Sequence, residues 1–280
     1  MSAALHLAVT LVLCGCLAGP LAGARWVWRS PRTGILLWQM LACTWVLSIV
    51  GLLLAVGLAR FPGSIPAGLV ALARDPAHWG VVPVVVGLAL GGWLVGAVVW
   101  SWLAVARVRR RHRDVLALVA RRDRDVPGAV VVDSPLPIAY CLPGTVVVSS
   151  GAVRALTRDE LLAVLAHEHA HGRERHDLVL LPFTALRRLV PRRITAAVAL
   201  LVEMRADDNA RREHGAAPLA SALRRFRDAP PPAGALGVAG DIDVRLERLA
   251  GTVPLTAFAR WSALVGGLVL VTTPISFVLW

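Results

Sequence analysis

Residues 157–175 read TRDELLAVLAHEHAHGRER, an apolar stretch that passes directly into a run of histidines and charged residues. Thr157 followed three residues later by Glu160 is the capping-box pattern with which a helix begins. On a helix that starts there, His167 and His171 are four residues apart and project from the same face. The two imidazoles are then within reach of one ion, so this H-E-x-x-H pattern predicts a metal-binding helix.

The H-E-x-x-H spacing suits hydrolysis at a zinc ion. Two imidazoles hold the metal, and the carboxylate beside the first of them points toward the open side of the ion. Glu168 is therefore predicted to be the catalytic general base, which takes a proton from a water molecule. His169 lies about half a turn from the ligand pair. We expect it on the opposite side of the helix, outside the metal site.

A catalytic zinc site needs a third protein ligand, and residues 196–212, AAVALLVEMRADDNARR, offer one. In this stretch Glu203 and Asp207 are four residues apart on one helical face. Glu203 is predicted to be the third ligand, and Asp207 the acceptor of the remaining ring N–H of a ligating histidine. Asp208 points in another direction and is a poor substitute. The alternative to a metal site here is a solvated acidic helix end.

Apolar runs without charged residues lie on both sides of this polar part of the chain. They span residues 2–22, 35–59, 81–106 and 261–280, and each has about the 20 residues that a bilayer-spanning helix needs. Of all residues, 56% are hydrophobic, and the mean hydropathy is +0.64. We expect three transmembrane helices in residues 1–106, a separate domain in residues 107–260, and a fourth transmembrane helix in residues 261–280.

The distribution of arginine predicts the orientation of these helices. Residues 23–34 carry three arginines and no acid, residues 60–80 carry two arginines and one Asp, and five arginines follow the third run between residues 107 and 113. Positively charged loops stay in the cytoplasm, so residues 107–260 are predicted to be cytoplasmic and both termini outside the cell membrane. Residues 22–24, Ala-Gly-Ala, resemble a signal-peptide cleavage site, but the first run has no basic residue at its start, which favours a retained helix.

The basic composition has an explanation that does not involve nucleic acid. The chain has 30 Arg or Lys residues, all of them Arg, against 18 Asp or Glu, with a net charge of +12. No basic face interleaved with aromatic residues is apparent, so we expect no direct contact with nucleic acid. Anionic headgroups of the lipid bilayer account for the arginines. The four cysteines are too few and too scattered for a disulfide framework or a cysteine zinc site.

Residues 130–151, VVVDSPLPIAYCLPGTVVVSSG, contain two β-branched runs separated by a proline-rich turn. This pattern predicts two short strands before the metal-binding helix. Tyr140 and Cys141 lie in the turn and are candidate substrate-binding residues, although loop side chains often only pack.

The succession of H-E-x-x-H and E-x-x-A-D resembles the gluzincin-type membrane zinc peptidases, which include HtpX and the CAAX prenyl endopeptidases. The layout of three helices, a cytoplasmic zinc domain and a fourth helix is closer to the BlaR/MecR receptor peptidases. Residues 171–177, HGRERHD, also resemble the basic H-x-x-x-R-x-D continuation of those receptors. The resemblance covers essentially the whole chain and implies a zinc metalloendopeptidase with one zinc ion per chain. It also implies that the two predicted strands form a hairpin before the zinc helix and that the edge of this hairpin pairs with an extended substrate.

This resemblance implies an α-helical membrane protein with four transmembrane helices and a cytoplasmic α+β zinc-metallopeptidase domain inserted between helices three and four. Its partner is then a protein or peptide substrate: a BlaI-like transcriptional repressor cleaved in stress or antibiotic signalling, or damaged membrane proteins in an HtpX-like quality-control role. A non-catalytic signalling or scaffold protein is the alternative, which the intact Glu168 disfavours. The sequence ends at Trp280, so we expect the C-terminal penicillin-binding sensor of BlaR/MecR proteins to be absent.

Overall fold

The computed structural model describes residues 3–61, 63, 65–75, 78–142, 144–228 and 238–279, and the fold is mostly helical. The helices are α1 (Ala3–Gly23), α2 (Pro31–Gly57), α3 (Ile65–Arg74), α4 (Val81–Val119), α5 (Ser150–Ala155), α6 (Arg158–Arg173), α7 (His176–Ala185), α8 (Arg192–His214), α9 (Ala216–Asp228), α10 (Val238–Gly251) and α11 (Ala257–Leu279), with a 3₁₀ helix at Arg25–Arg29. The strands are β1 (Arg121–Arg122), β2 (Ala129–Val132), β3 (Ala139–Leu142) and β4 (Thr145–Ser149).

The described residues include four helices that are long and apolar enough to cross a membrane. They are Ala3–Gly23, Pro31–Gly57, Val81–Val119 and Ala257–Ser276. Each contains most of one apolar run predicted from the sequence, which suggests a membrane protein. Helix α4 continues thirteen residues beyond position 106, the end of its apolar run. Residues 97–119 contain neither Gly nor Pro, so nothing in this sequence interrupts the helix.

The chain divides into two compact units. One comprises Met1–Trp100, Pro182–Val198 and Leu255–Trp280, and the other comprises Ser101–Leu181 and Ala199–Pro254. In the first unit, α2 packs against both α1 and α11. Gly267 of α11 permits this close approach, because a Cβ at that position would lie 2.7 Å from the sulfur of Met40. The second unit holds the sheet and the helix with the H-E-x-x-H pattern.

The sheet has the strand order β1-β2-β4-β3. Strand β2 pairs with β4 in parallel, and β3 pairs with β4 antiparallel, with Tyr140 opposite Val147. The predicted hairpin between the two β-branched runs is therefore wrong: these runs are β2 and β4, which are parallel neighbours. The hairpin is formed by β3 and β4, with Gly144 at a φ of 87° in the turn between them. The prolines at 135 and 137 interrupt the apolar alternation before β3, which hid this four-residue strand.

Helix α6 begins with the predicted capping box. Thr157 Oγ1 accepts a hydrogen bond from the Glu160 main-chain N–H at 3.4 Å, and the Thr157 N–H donates to Glu160 Oε2 at 2.8 Å. Leu161, Val164 and Leu165 of the same helix are buried in a core that also contains valines of β2 and β4. The sheet therefore fixes one face of α6, which leaves the face with His167 and His171 directed toward α8.

Candidate metal centre

Helices α6 and α8 bring together the three predicted metal ligands. Ligand atoms of His167, His171 and Glu203 all lie within 4.8 Å of one another. The two Nε2 atoms of the histidines are 3.1 Å apart. Glu203 Oε2 is 3.3 Å from His167 Nε2, and its Oε1 is 3.5 Å from His171 Nε2. Two nitrogen atoms and a carboxylate oxygen thus face one small volume.

This arrangement fits a zinc ion in both spacing and charge. Around a tetrahedral zinc with bonds of about 2.0–2.1 Å, neighbouring ligand atoms are about 3.3 Å apart, close to the measured separations. Three carboxylates, of Glu168, Glu203 and Asp207, surround one guanidinium, that of Arg245. With both histidines neutral, two negative charges are left uncompensated, which is the charge that one divalent cation neutralises.

The first candidate ligand, His167, lies beside the buried carboxylate of Asp207. Its Nδ1 is 3.0 Å from Asp207 Oδ1, and both side chains are buried. Burial alone would lower the pKa of His167, but hydrogen bonds to Asp207 and Glu203 raise it to about 10. Without a cation, the two carboxylates therefore keep a proton on His167, and a metal ion must displace that proton.

The second candidate ligand, His171, has an outer partner that the sequence did not predict. His171 Nδ1 is 3.0 Å from Nδ1 of His176, whose own Nε2 is 3.5 Å from Glu174 Oε2. Arg205 donates two hydrogen bonds to the Glu174 carboxylate, at 2.8 and 2.7 Å. Burial lowers the pKa of His171 to about 4, even though Glu203 opposes this, so its imidazole is neutral at pH 7.

Helical spacing could not reveal His176, because α6 ends at Arg173 and the chain turns before His176. Arg175 adopts a left-handed conformation in that turn, with a φ of 49°. The turn begins α7 at His176 and directs its ring back toward His171. The only signal in the sequence was a histidine and an aspartate shortly after the H-E-x-x-H pattern.

Glu168, the predicted general base, lines the same cleft as the three ligands. The main-chain N–H of Cys141 donates a hydrogen bond to its carboxylate. Burial raises the pKa of Glu168 above its usual range, and the nearby charge of Glu203 acts in the same direction, although His167 and Arg245 oppose both. The carboxylate is thus oriented by β3, and its surroundings favour the protonated form more than those of an exposed glutamate would.

The cleft has a volume of about 300 Å³, and part of its wall is strand β3, through Ala139, Tyr140 and Cys141. Strand β3 is at the edge of the described sheet. The Tyr140 hydroxyl is 2.8 Å from His112 Nε2. Both predicted substrate-binding residues therefore lie in the wall of the cleft. Burial raises the pKa of the Cys141 thiol to about 11, with Glu168 and Asp177 acting in the same direction, so this side chain is a neutral wall residue.

His169 and Asp208, which the sequence predicted to be outside the metal site, lie away from the three candidate ligands. His169 lies on another face of α6, where its Nδ1 contacts the Leu165 carbonyl at 2.7 Å. Asp208 accepts two hydrogen bonds from Arg248, at 2.7 and 2.9 Å. Neither is among the grouped metal-ligand candidates found in the described residues.

A comparison with protein families bears on this geometry. Residues 105–229 match the model of Peptidase family M48. The matched segment contains His167, Glu168, His171, Glu203 and Asp207, and it ends before α10. The match supports a metallopeptidase of family M48, whose members depend on a metal that is typically zinc. No solved structure matches this chain.

Proposed function

We propose that this protein is an integral-membrane zinc endopeptidase that hydrolyses peptide bonds at the cytoplasmic face of the cell membrane. The observation that carries the proposal is the shared cleft: three converging ligand side chains, the half-buried Glu168 carboxylate and a sheet edge line one volume. A base beside an open metal position is the arrangement of a catalytic site, whereas a structural zinc site is closed by a fourth protein ligand.

His167, His171 and Glu203 would hold the zinc ion, which supplies Lewis acidity toward the scissile carbonyl and the attacking water when it is bound. Glu168 accepts a proton from that water and delivers it to the leaving amine. The Cys141 main-chain N–H holds the Glu168 carboxylate in place for both transfers. Asp207 fixes the ring orientation of His167, and His176 has the same relation to His171.

Strand β3 offers an extended substrate a place to bind beside Glu168. A peptide that adds to a sheet edge is recognised through its main-chain hydrogen bonds, which do not depend on its sequence. The cleft beside the edge, whose lining includes Tyr140 and Val202, has room for side chains near the scissile bond. This arrangement favours protein or peptide segments in an extended conformation.

The distribution of arginine supports a cytoplasmic location for the cleft. Five arginines follow the apolar part of α4 directly, between residues 107 and 113, and the first loop is also basic. Under the positive-inside rule, this distribution favours an orientation with both termini outside and the cleft in the cytoplasm.

The proposed substrate is a cytoplasmic transcriptional repressor, by the resemblance to the BlaR/MecR receptor peptidases. The test compares new protein N-termini in cells that express the wild-type chain or Glu168→Gln, with and without cell-envelope stress. Termini that depend on Glu168 and map to a small DNA-binding repressor support this substrate. Termini spread over many membrane proteins favour an HtpX-like quality-control role instead. Identical N-termini in both strains under every condition contradict the proposed peptidase and favour a non-catalytic scaffold.

A further inference from the structure

Helix α10 contributes a buried arginine to the metal centre. The Nε and Nη2 atoms of Arg245 donate hydrogen bonds to both oxygens of Asp207, at 2.8 and 2.7 Å. Its Nη1 is 3.0 Å from Glu203 Oε2. The side chain of Arg245 is only 9% exposed. A single guanidinium thus joins the third predicted ligand to the carboxylate that holds the first one.

We propose that Arg245 is a positioning residue of the metal centre, which holds Glu203 in the orientation that completes the ligand set. The inference rests on the proposed zinc site but does not depend on the nature of the substrate. It also extends the site beyond the segment that matches the peptidase family, which ends at residue 229.

The need for such a residue follows from the different burial of the two carboxylates. The side chain of Asp207 is 1% exposed and is fixed by its surroundings, whereas that of Glu203 is 34% exposed and borders the cleft. Two carboxylates one helical turn apart also repel each other. Without Arg245, Glu203 is free to rotate into the cleft, away from His167 and His171.

The planar guanidinium is essential to this role. Arginine presents its N–H groups in a fixed fork that can bind one carboxylate with two atoms and a second carboxylate with a third. A lysine ammonium is a single point charge on a flexible chain and cannot reproduce this geometry. The conservative change Arg245→Lys therefore keeps the charge but removes the positioning of Glu203.

Arg248, three residues further along α10, provides a matched control. It is also buried, and it donates two hydrogen bonds to Asp208 of α8, at 2.7 and 2.9 Å. Asp208 is not one of the candidate ligands. Arg245→Lys and Arg248→Lys therefore disturb similar arginine–aspartate pairs between the same two helices, but only Arg245 also contacts Glu203.

The test uses the full-length chain purified in detergent. The affinity for Zn²⁺ is measured by competition with a chromophoric chelator, the visible absorption of the Co²⁺-substituted protein reports the ligand geometry, and thermal unfolding in EDTA reports the stability without metal. We expect Arg245→Lys to weaken Zn²⁺ binding about 10- to 100-fold, as loss of an outer partner does, and to change the Co²⁺ spectrum. Arg248→Lys should lower stability by a similar amount while the Zn²⁺ affinity changes less than about threefold.

Wild-type Zn²⁺ affinity and an unchanged Co²⁺ spectrum in Arg245→Lys would overturn the proposal, and so would an equal loss of affinity in Arg248→Lys. If Arg245→Lys does not fold, Arg245→Gln replaces it, since glutamine is long enough for one hydrogen bond to Asp207. Weaker Zn²⁺ binding in a chain that cleaves no peptide supports the role of Arg245 and contradicts only the peptidase function. A wild-type chain that binds no Zn²⁺ contradicts both.

Discussion

Replacing Asp207 by asparagine removes a charge at the most buried point of the metal centre. Asp207 lies 3.0 Å from His167 Nδ1 and accepts two hydrogen bonds from Arg245. An asparagine amide has only one acceptor oxygen, so its NH₂ group must face either the ring N–H or the guanidinium, both of which are donors. Loss of such an outer partner lowers metal affinity about 10- to 100-fold, or by about 1.4 to 2.8 kcal/mol.

The assay for Asp207→Asn is a competition titration with Zn²⁺, performed beside Asp208→Asn as a matched control. The control changes the neighbouring aspartate, which pairs with Arg248 rather than with His167. Both variants should unfold more easily in EDTA, and the loss for Asp207→Asn should be on the order of 3 kcal/mol because a buried ion pair is broken. An equal Zn²⁺ affinity in the two variants would show that Asp207 does not act through His167.

Three further predictions concern pH and packing. Burial alone would raise the pKa of Glu160, but hydrogen bonds from Ser221 and the Thr157 N–H, together with Arg225, lower it to about 2. The resulting contribution to the free energy of unfolding, on the order of 2–3 kcal/mol, is complete above about pH 4.5 and is lost as the pH falls toward 2. In thermal melts, Glu160→Gln should therefore unfold more easily than the wild-type chain at pH 7, and its stability should fall less steeply over that acid range. His171 is already neutral, so a Zn²⁺ ion that binds here displaces one proton, the one held on His167. The Zn²⁺ affinity measured by chelator competition should therefore rise about tenfold per pH unit between pH 6 and 8. A pH-independent affinity would contradict this. A Cβ at Gly172 would lie 3.0 Å from the Cys141 sulfur, so in Gly172→Ala this contact should offset the gain of about 1 kcal/mol that alanine has over glycine within a helix. In denaturant titrations, Gly172→Ala should therefore stabilise the Cys141→Ala chain more than the wild-type chain.

The three candidate metal ligands could be picked out from the sequence because both of their helices have regular spacing. His167 and His171 are four residues apart on α6, as are Glu203 and Asp207 on α8, and the structure brings the two faces together. The 3.6-residue period of a helix is a local property, so it needs no knowledge of the tertiary fold. The capping box that begins α6 was predicted for the same reason.

The outer residues of the site depend on tertiary structure, and the sequence did not reveal them. His176 approaches His171 only because the chain turns at Arg175, outside any helical period. Arg245 lies 42 residues beyond Glu203 in the sequence, where it is one of several charged residues on α10. The prediction of the strand pairing was wrong for the same reason, since no local feature of the sequence indicates that β2 and β4 are parallel neighbours.

The most direct test of the proposed function is a measurement of peptide hydrolysis and zinc content on the same purified preparations of the wild-type chain and Glu168→Gln. Glu168 lines the cleft but is not one of the three candidate ligands, so its replacement by glutamine should leave metal binding intact. We expect one zinc ion per chain in both proteins and a fall in kcat of about 100-fold or more in the variant, the contribution of a general acid–base residue. Equal rates of cleavage by the two zinc-loaded proteins would contradict the assignment of Glu168 as the catalytic base.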